Sequence, residues 1–159
     1  MGLKMETKDK RNIEIPETVE SIMKENVVAI SPDDSLRQVR RLFQRYRFHH
    51  LPVVENGVII GIVSDRDLLK QLSPFLETVS SQPRDRFILN KKAHQIMTRK
   101  PITVKKYTSI RDACKTMLTN RISCLPVVDS NRHIKGILTW RDIFNVLLKF
   151  YPDPQKPID

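Results

Sequence analysis

The sequence has no run of about 18 apolar residues, and its first residues are charged where a signal peptide would have its apolar core. These absences exclude a membrane-spanning helix and a secretory leader of the usual kind. Position 6 holds Glu6, whereas N-myristoylation of Gly2 needs Ser or Thr there. We therefore expect a cytoplasmic protein without a membrane anchor.

Metal-ligating and nucleophilic residues are also few. The chain has two cysteines, Cys114 and Cys124, with no Cys-x-x-Cys pair, and its four histidines are scattered. No nucleophile has a base beside it in the sequence. We therefore expect no metal centre and no enzymatic activity, and we interpret the two thiols as buried and reduced.

Positive charge is in excess. The formal net charge is +10, in a chain that is 40% hydrophobic and 29% charged. This composition is typical of a folded globular protein. The charge favours an anionic partner, which is a nucleic acid, a membrane surface or a phosphorylated small ligand. Charge alone does not choose among these classes.

One unit occurs twice. Residues 47–67 read RFHHLPVVENGVIIGIVSDRD, and residues 121–142 read RISCLPVVDSNRHIKGILTWRD. The dipeptide Ile22-Met23 upstream also has a counterpart, Ile96-Met97, at an offset of 74 residues. We therefore divide the chain into an N-terminal extension, repeat 1, a linker, repeat 2 and a proline-rich tail. Their residues are 1–16, 17–72, 73–91, 92–150 and 151–159.

Each repeat has the predicted element order α-β-α-β-β-α. Short helices end near Met23 and Met97, and the pattern then predicts strands at 27–30 and 102–104. Apolar residues at helical spacing indicate helices at 35–46 and 109–120. An Asn-Gly turn between β-branched runs predicts the first hairpin, at 51–54 and 58–63. Helices at 65–72 and 140–150 close the repeats, and the linker has one predicted helical turn.

A Ser/Thr-x-x-Asp motif, at Ser64 to Asp67 and at Thr139 to Asp142, ends the second hairpin strand of each repeat. A hydroxyl and backbone amides at the start of a helix favour a phosphate, because the helix dipole is positive there. The aspartate can accept two hydrogen bonds from the vicinal diol of a ribose. The same spacing is also an ordinary helix capping box, so both interpretations remain open.

These residues resemble those of a pair of CBS domains. The Ile-Met openings, the two LPVV strands and the two Gly-Ile segments that lead into Arg-Asp carry the resemblance, which covers residues 17–150. It implies a tandem CBS-domain pair, with two α/β repeats related by a pseudo-twofold axis. It also implies an adenosine-containing regulatory ligand, such as AMP, ADP, ATP or S-adenosylmethionine.

The resemblance implies two clefts, each joining the aspartate of one repeat to the first strand of the other. Asp67 and Ser64 would face Ile102 and Thr103 in the first cleft. In the second, the facing residues would be Asp142, Thr139, Val28 and Ala29. Such proteins often have a hydroxyl at the position of Ala29, so we expect the Asp67 cleft to be the more complete site.

The candidate phosphate contacts are His49, His50, Arg66 and Arg141. The γ subunit of AMP-activated protein kinase is similar in the segment of the two histidines and carries basic residues there. Adjacent residues of a strand point to opposite faces, which argues against a joint metal site at His49 and His50. A structural role for these histidines remains an alternative.

The predicted function is that of a regulatory sensor without a membrane partner. The chain shows no output domain, so we expect it to act on an effector protein in trans and to form a homodimer. Two alternatives remain open. Arg37, Arg41 and Arg45 recur on one helix face and suit a nucleic acid, although the chain has few aromatic residues for stacking bases. The other alternative is a dimerisation module that binds no ligand.

Overall fold

The computed structural model describes residues 16–72 and 83–150. Repeat 1 contains α1, β1, β2 and α2, which are Leu36–Tyr46, His50–Glu55, Val58–Ser64 and Asp65–Gln71. The later residues form α3, β3, α4, β4, β5 and α5, which are Pro83–Asn90, Thr98–Arg99, Ile110–Asn120, Cys124–Val128, Ile134–Thr139 and Trp140–Phe150. Short 3₁₀ helices occupy Val19–Ser21 and Ala93–Gln95. The predicted α/β fold of two similar halves is confirmed.

The antiparallel hairpins of the two repeats form the centre of each core. In the first hairpin, Leu51 of β1 pairs with Val63 of β2, and both side chains are fully buried. Asn56 and Gly57 have φ values of 50° and 81°, which are the left-handed values that a tight hairpin turn requires. The predicted hairpins are therefore confirmed, with β4 and β5 pairing in the same way.

The helices α1 and α4 begin at serine caps. The hydroxyl of Ser35 accepts a hydrogen bond from a backbone amide of α1, and Ser109 does the same for α4. Each helix ends at an arginine in the left-handed conformation, Arg47 or Arg121. The buried face of α1 has apolar residues at helical spacing, namely Leu36, Val39 and Phe43.

The strands predicted at 27–30 and 102–104 do not form. Each is reduced to one parallel bridge, between Ile30 and Val53 in repeat 1 and between Val104 and Val127 in repeat 2. Only Ile30 and Val104 exchange backbone hydrogen bonds with the hairpins. The residues before them run along the clefts between the repeats, so their backbones do not extend the sheets.

The linker contains more helix than predicted. The helix α3 has eight residues, and Leu89 within it is buried. Its sequence has only a weak helical period, and packing against α1 supplies the stability that the pattern lacks. Residues 73–82 of the linker, the extension at 1–15 and the tail at 151–159 lie outside the described residues.

The segments that open the two repeats are exchanged between their cores. Met23 packs in the core of repeat 2, where Lys24 exchanges two backbone hydrogen bonds of 2.9 Å with Ile137 of β5. Met97 packs in the core of repeat 1, and β3 beside it pairs with β2. Each half therefore completes the hydrophobic core of the other.

This exchange explains the glycine of each Gly-Ile segment. A methyl group on Gly61 would collide with the sulfur of Met97, and one on Gly136 would collide with the sulfur of Met23. The glycines leave the space that the methionines fill. The Ile-Met and Gly-Ile signals, which are distant in the sequence, are thus two sides of one contact.

Candidate ligand site between the repeats

The Ser64 to Asp67 motif forms the predicted capping box at the start of α2. The Ser64 hydroxyl accepts from the amide of Asp67 at 3.2 Å, and Asp67 Oδ2 accepts from the amide and hydroxyl of Ser64 at 3.0 and 2.7 Å. The cap uses only one carboxylate oxygen. Lys70 Nζ lies 3.9 Å from the other oxygen, and 25% of the Asp67 side chain remains exposed.

The backbone amides at the start of α2 are not available to a phosphate. The amide of Asp65 donates to the carbonyl of His49, the amide of Arg66 to Asp65 Oδ1, and the amide of Asp67 to Ser64. Two carboxylates also lie in this first turn. These hydrogen bonds favour the capping interpretation of the motif, and an anion here would contact cationic side chains instead.

A cavity of about 860 Å³ lies beside this cap, and we call it the first cleft. Ser64 and Asp67 of repeat 1 line it together with Ile102, so the structure brings these three predicted residues together. Thr103 does not line it. Other apolar lining residues are Ile62, Pro101, Ile122 and Pro126, and the charged ones include Arg66, Lys100, Arg121 and Arg141.

A second, smaller cleft of about 310 Å³ lies on the other side, and Thr139 and Val28 line it as predicted. Ala29 and Asp142 do not. The Asp142 carboxylate accepts from the amide and hydroxyl of Thr139 at 2.8 and 2.6 Å, and Lys24 Nζ lies 3.5 Å from its other oxygen. Only 5% of the Asp142 side chain is exposed.

The wall that separates the two clefts joins the repeats. His49 and Arg141 both line both clefts. Arg141 Nη2 lies 3.3 Å from His49 Nε2, and His49 Nδ1 lies 2.8 Å from Asp65 Oδ2. Because a guanidinium can only donate, Nε2 accepts from Arg141 and Nδ1–H donates to Asp65. These two hydrogen bonds hold His49 between the repeats.

The other candidate phosphate contacts differ in charge. His50 lines both clefts, but burial lowers its pKa, and the opposing effect of Asp65 is smaller. His50 is therefore a poor source of positive charge at neutral pH. Arg66 is exposed, and it lines the first cleft but not the second. The arginines carry most of the cationic character that the predicted set brings to the site.

The counterpart of His50 in repeat 2 is Cys124, which is buried. Burial, and to a smaller extent the nearby Asp142, raise the pKa of the Cys124 thiol to about 12. Both cysteines are free thiols. Cys124 is thus protonated and unreactive at neutral pH, in agreement with its interpretation as a buried reduced thiol.

Two other surfaces lie outside the capping motifs. Arg37, Arg41 and Arg45 are exposed on α1, which contains no acidic residue, and they line neither cleft; we call them the arginine face. On α5, four large apolar side chains are exposed, and we call them the α5 apolar face: Trp140, Phe144, Leu147 and Leu148.

Two structural features are absent from residues 16–72 and 83–150. No helix in these ranges is both long and apolar enough to cross a membrane. Within the same ranges, His, Cys, Asp and Glu side chains form no group of three or more that could hold a metal ion.

Comparison with known proteins identifies the repeat. The family model for the CBS domain matches residues 19–74 and 93–149. The chain is 34% identical over 128 residues to protein MJ1225 of Methanocaldococcus jannaschii, which covers 80% of this chain and 46% of that protein. The crystal structure of MJ1225 superposes with a TM-score of 0.73 at 33% identity, over 88% of this chain and 49% of that one. The chain thus spans about half the length of this relative.

Two similar structures contain adenosine compounds. CBSX2, solved in complex with AMP, has a TM-score of 0.72 at 26% identity and covers 86% of this chain and 100% of its own. The CBS domain pair of protein MJ0100, solved with 5′-methylthioadenosine and S-adenosylmethionine, has a TM-score of 0.70 at 25% identity, over 85% and 99%. Inosine-5′-monophosphate dehydrogenases match over only 23–26% of their length, so their enzymatic activity does not carry over.

Proposed function

The chain belongs to the CBS-domain family, and from this premise we propose that it is a regulatory sensor of an adenosine-containing ligand bound in the first cleft. The candidate ligands are AMP, ADP, ATP and S-adenosylmethionine. CBSX2 binds AMP and the MJ0100 pair binds 5′-methylthioadenosine and S-adenosylmethionine, which supports this ligand class. The cavity of about 860 Å³ is within the usual range of small-molecule sites.

The observation that carries the proposal is the accessible carboxylate of Asp67. Its cap holds the side chain in one orientation through Ser64 while one oxygen remains outside the cap. A fixed carboxylate at the edge of an apolar cleft is a suitable acceptor for the two hydroxyls of a ribose. Hydrogen bonds to a charged acceptor are also stronger than those between neutral groups.

The remaining parts of the ligand have chemically suitable surroundings. Ile62, Ile102 and Ile122 supply apolar surface for an adenine ring. Arg66 and Arg141 supply positive charge for a phosphate. The backbone amides at the start of α2 are not needed for this contact, and they already donate hydrogen bonds within the protein. In S-adenosylmethionine, the carboxylate would take the place of the phosphate.

Ligand binding between the repeats gives a means of regulation. Asp67 belongs to repeat 1 and Ile102 to the segment that leads into repeat 2, so a ligand that contacts both favours one relative arrangement of the halves. A ligand shifts such an equilibrium only by its difference in affinity for the two states. We propose that an effector protein reads this difference.

We also propose that the α5 apolar face forms a homodimer. Its four side chains lie on one exposed helix, and apolar patches of this kind mark interfaces. Phe144→Lys should shift the protein towards the monomer in analytical ultracentrifugation. Leu118→Lys, which alters an apolar residue of α4 that is more exposed than Phe144, is the matched control and should leave the association unchanged. Equal sedimentation of wild type and Phe144→Lys would contradict the proposal.

A thermal-shift panel of AMP, ADP, ATP and S-adenosylmethionine tests the ligand proposal. At least one compound should raise the Tm of the wild type, and Asp67→Asn should remove that rise. The matched control is Asp112→Asn, because Asp112 also accepts from the hydroxyl of a capping serine, Ser109, at the start of α4 but lines neither cleft. Absence of stabilisation by all four compounds, or equal stabilisation of Asp67→Asn, would contradict the proposal.

The arginine face supports a nucleic acid as the second candidate partner. Its cations lie at one-turn spacing without acidic residues in the same helix, which suits contact with phosphates. Binding of a labelled oligonucleotide should then fall steeply with salt and weaken in the triple variant Arg37→Gln, Arg41→Gln, Arg45→Gln. It should be unaffected by Asp67→Asn, which separates this function from ligand sensing.

A further inference from the structure

Two residues occupy equivalent positions in the exchanged segments. Lys24 bridges Ile137 of β5, and Thr98 pairs with Ile62 of β2. Lys24 lines the second cleft, and Thr98 lines the first. The two clefts therefore differ at this position by a long cation against a short hydroxyl.

The cation of Lys24 reaches Asp142, the aspartate that was predicted for the second cleft but does not line it. Its Nζ lies 3.5 Å from Asp142 Oδ1, while Asp142 Oδ2 already accepts two hydrogen bonds from Thr139. Both oxygens of Asp142 are therefore engaged. A carboxylate that is 95% buried needs such a partner, because an unpaired charge in that position is costly.

Among the described residues, no cation of the opening segment pairs with Asp67 in the first cleft. Thr98 has no cationic group, and Lys70, which lies 3.9 Å from Asp67, extends from the same helix and does not line the cleft. Asp67 is 25% exposed, against 5% for Asp142. The difference in exposure follows the difference between Thr98 and Lys24.

We propose that Lys24 determines which cleft can bind. Its ammonium group occupies the hydrogen-bonding position on Asp142 that a ribose diol would need, so a ligand of the second cleft has to displace Lys24 and the chain binds one ligand. This inference rests on the proposed function in so far as the ligand is an adenosine compound. Lys24→Thr, which gives position 24 the residue type found at the equivalent position 98, should open the second cleft.

The contact competes with a ligand without sealing the cleft permanently. The Lys24 side chain is 66% exposed, and exposed ammonium groups move readily and are screened by salt. A phosphate would also be attracted to Lys24, which could mask the competition. The uncharged compound 5′-methylthioadenosine has the diol but no phosphate, and it is therefore the probe.

The test is the stoichiometry of 5′-methylthioadenosine binding by equilibrium dialysis. Wild type should bind one molecule per chain, and Lys24→Thr should bind two. Lys24→Arg, which keeps a cation beside Asp142, should still bind one. Two sites in the wild type, or no additional site in Lys24→Thr, would overturn the inference.

Two further variants keep the test independent of folding and of the first cleft. Thr98→Lys should reduce binding to the first cleft at least tenfold, and unchanged affinity in that folded variant would also overturn the inference. Lys24→Thr combined with Asp67→Asn should retain one site, in the second cleft. If wild type binds no ligand but Lys24→Thr binds one, the proposed function of the first cleft fails and the inference on Lys24 stands.

Discussion

The two helix caps, Ser64 to Asp67 and Thr139 to Asp142, have the same internal hydrogen bonds but different surroundings. In each, the aspartate accepts from the amide and the hydroxyl of the capping residue. The first carboxylate remains partly exposed beside a large cleft, and the second is buried under Lys24. The Ser/Thr-x-x-Asp motif therefore forms the same helix cap in both repeats. The opening segment of the other repeat determines whether the aspartate of that cap stays accessible to a ligand.

The largest expected effect on stability comes from the opening segments, each of which packs in the core of the other repeat. Met23→Ala should lower the free energy of unfolding by about 2–5 kcal/mol, because it leaves a cavity in a packed core. Since Met23 packs in repeat 2, amide hydrogen exchange should accelerate in β4 and β5 more than in β1 and β2. Met97→Ala is the matched variant and should give the reverse pattern. If each variant instead accelerated hydrogen exchange mainly in the hairpin of the repeat that contains the substituted methionine, the packing of the opening segments in each other's cores would be contradicted.

The two glycines opposite these methionines should differ in sensitivity. Gly61→Ala and Gly136→Ala should each destabilise the protein by about 1–3 kcal/mol, because the added methyl group overpacks the core. Gly136→Ala should cost more, since its methyl group would also lie 3.1 Å from the backbone carbonyl of Lys24, whereas around Gly61 all the close atoms belong to the flexible Met97 side chain. Chemical denaturation measures both. A larger loss of stability in Gly61→Ala than in Gly136→Ala would contradict this ranking of the two contacts.

The two repeats should also differ in the pH dependence of their stability. Repeat 1 has His50 at the position where repeat 2 has Cys124, and we expect the pH dependence to come from His50. Burial holds the pKa of His50 below its ordinary value of 6.5, so on acidification the unfolded chain binds this proton first. The contribution of His50 is complete above pH 6.5 and is lost as pH falls from there towards the lowered pKa. Cys124, with a pKa of about 12, does not titrate in that range.

This is the smallest of the expected effects, and His50→Gln measures it. In denaturation curves collected from pH 7.5 down to pH 5, the variant should lose less stability than the wild type. Cys124→Ser alters the equivalent position of repeat 2, and its pH dependence should match that of the wild type. An unchanged slope in His50→Gln would contradict the assignment.

Local signals were sufficient to predict the hairpins, the long helices and both caps. Asn56 and Gly57 supply the left-handed turn, and Ser35 and Ser64 supply hydroxyls where helices begin. These features depend on residues a few positions apart, which is the range over which turn and capping chemistry acts. The predicted element types are therefore correct where such signals exist.

Contacts between the halves could not be predicted in the same way. The packing of Met97 against Gly61 and the position of Lys24 over Asp142 join residues that are far apart in the sequence. The helix α3 is longer than the single turn predicted, because tertiary packing, and not a strong period, stabilises it. Thr103 was predicted beside Ile102 at the first cleft, but only Ile102 of the two lines it.

The central claim is that the chain binds an adenosine ligand in one cleft and not in the other. A crystal structure of the protein grown with AMP tests it most directly. We predict one AMP per chain, with the ribose hydroxyls hydrogen bonded to Asp67 and Lys24 still beside Asp142. AMP bound to Asp142 in the wild type, or a first cleft that remains empty at saturating AMP, would contradict the account.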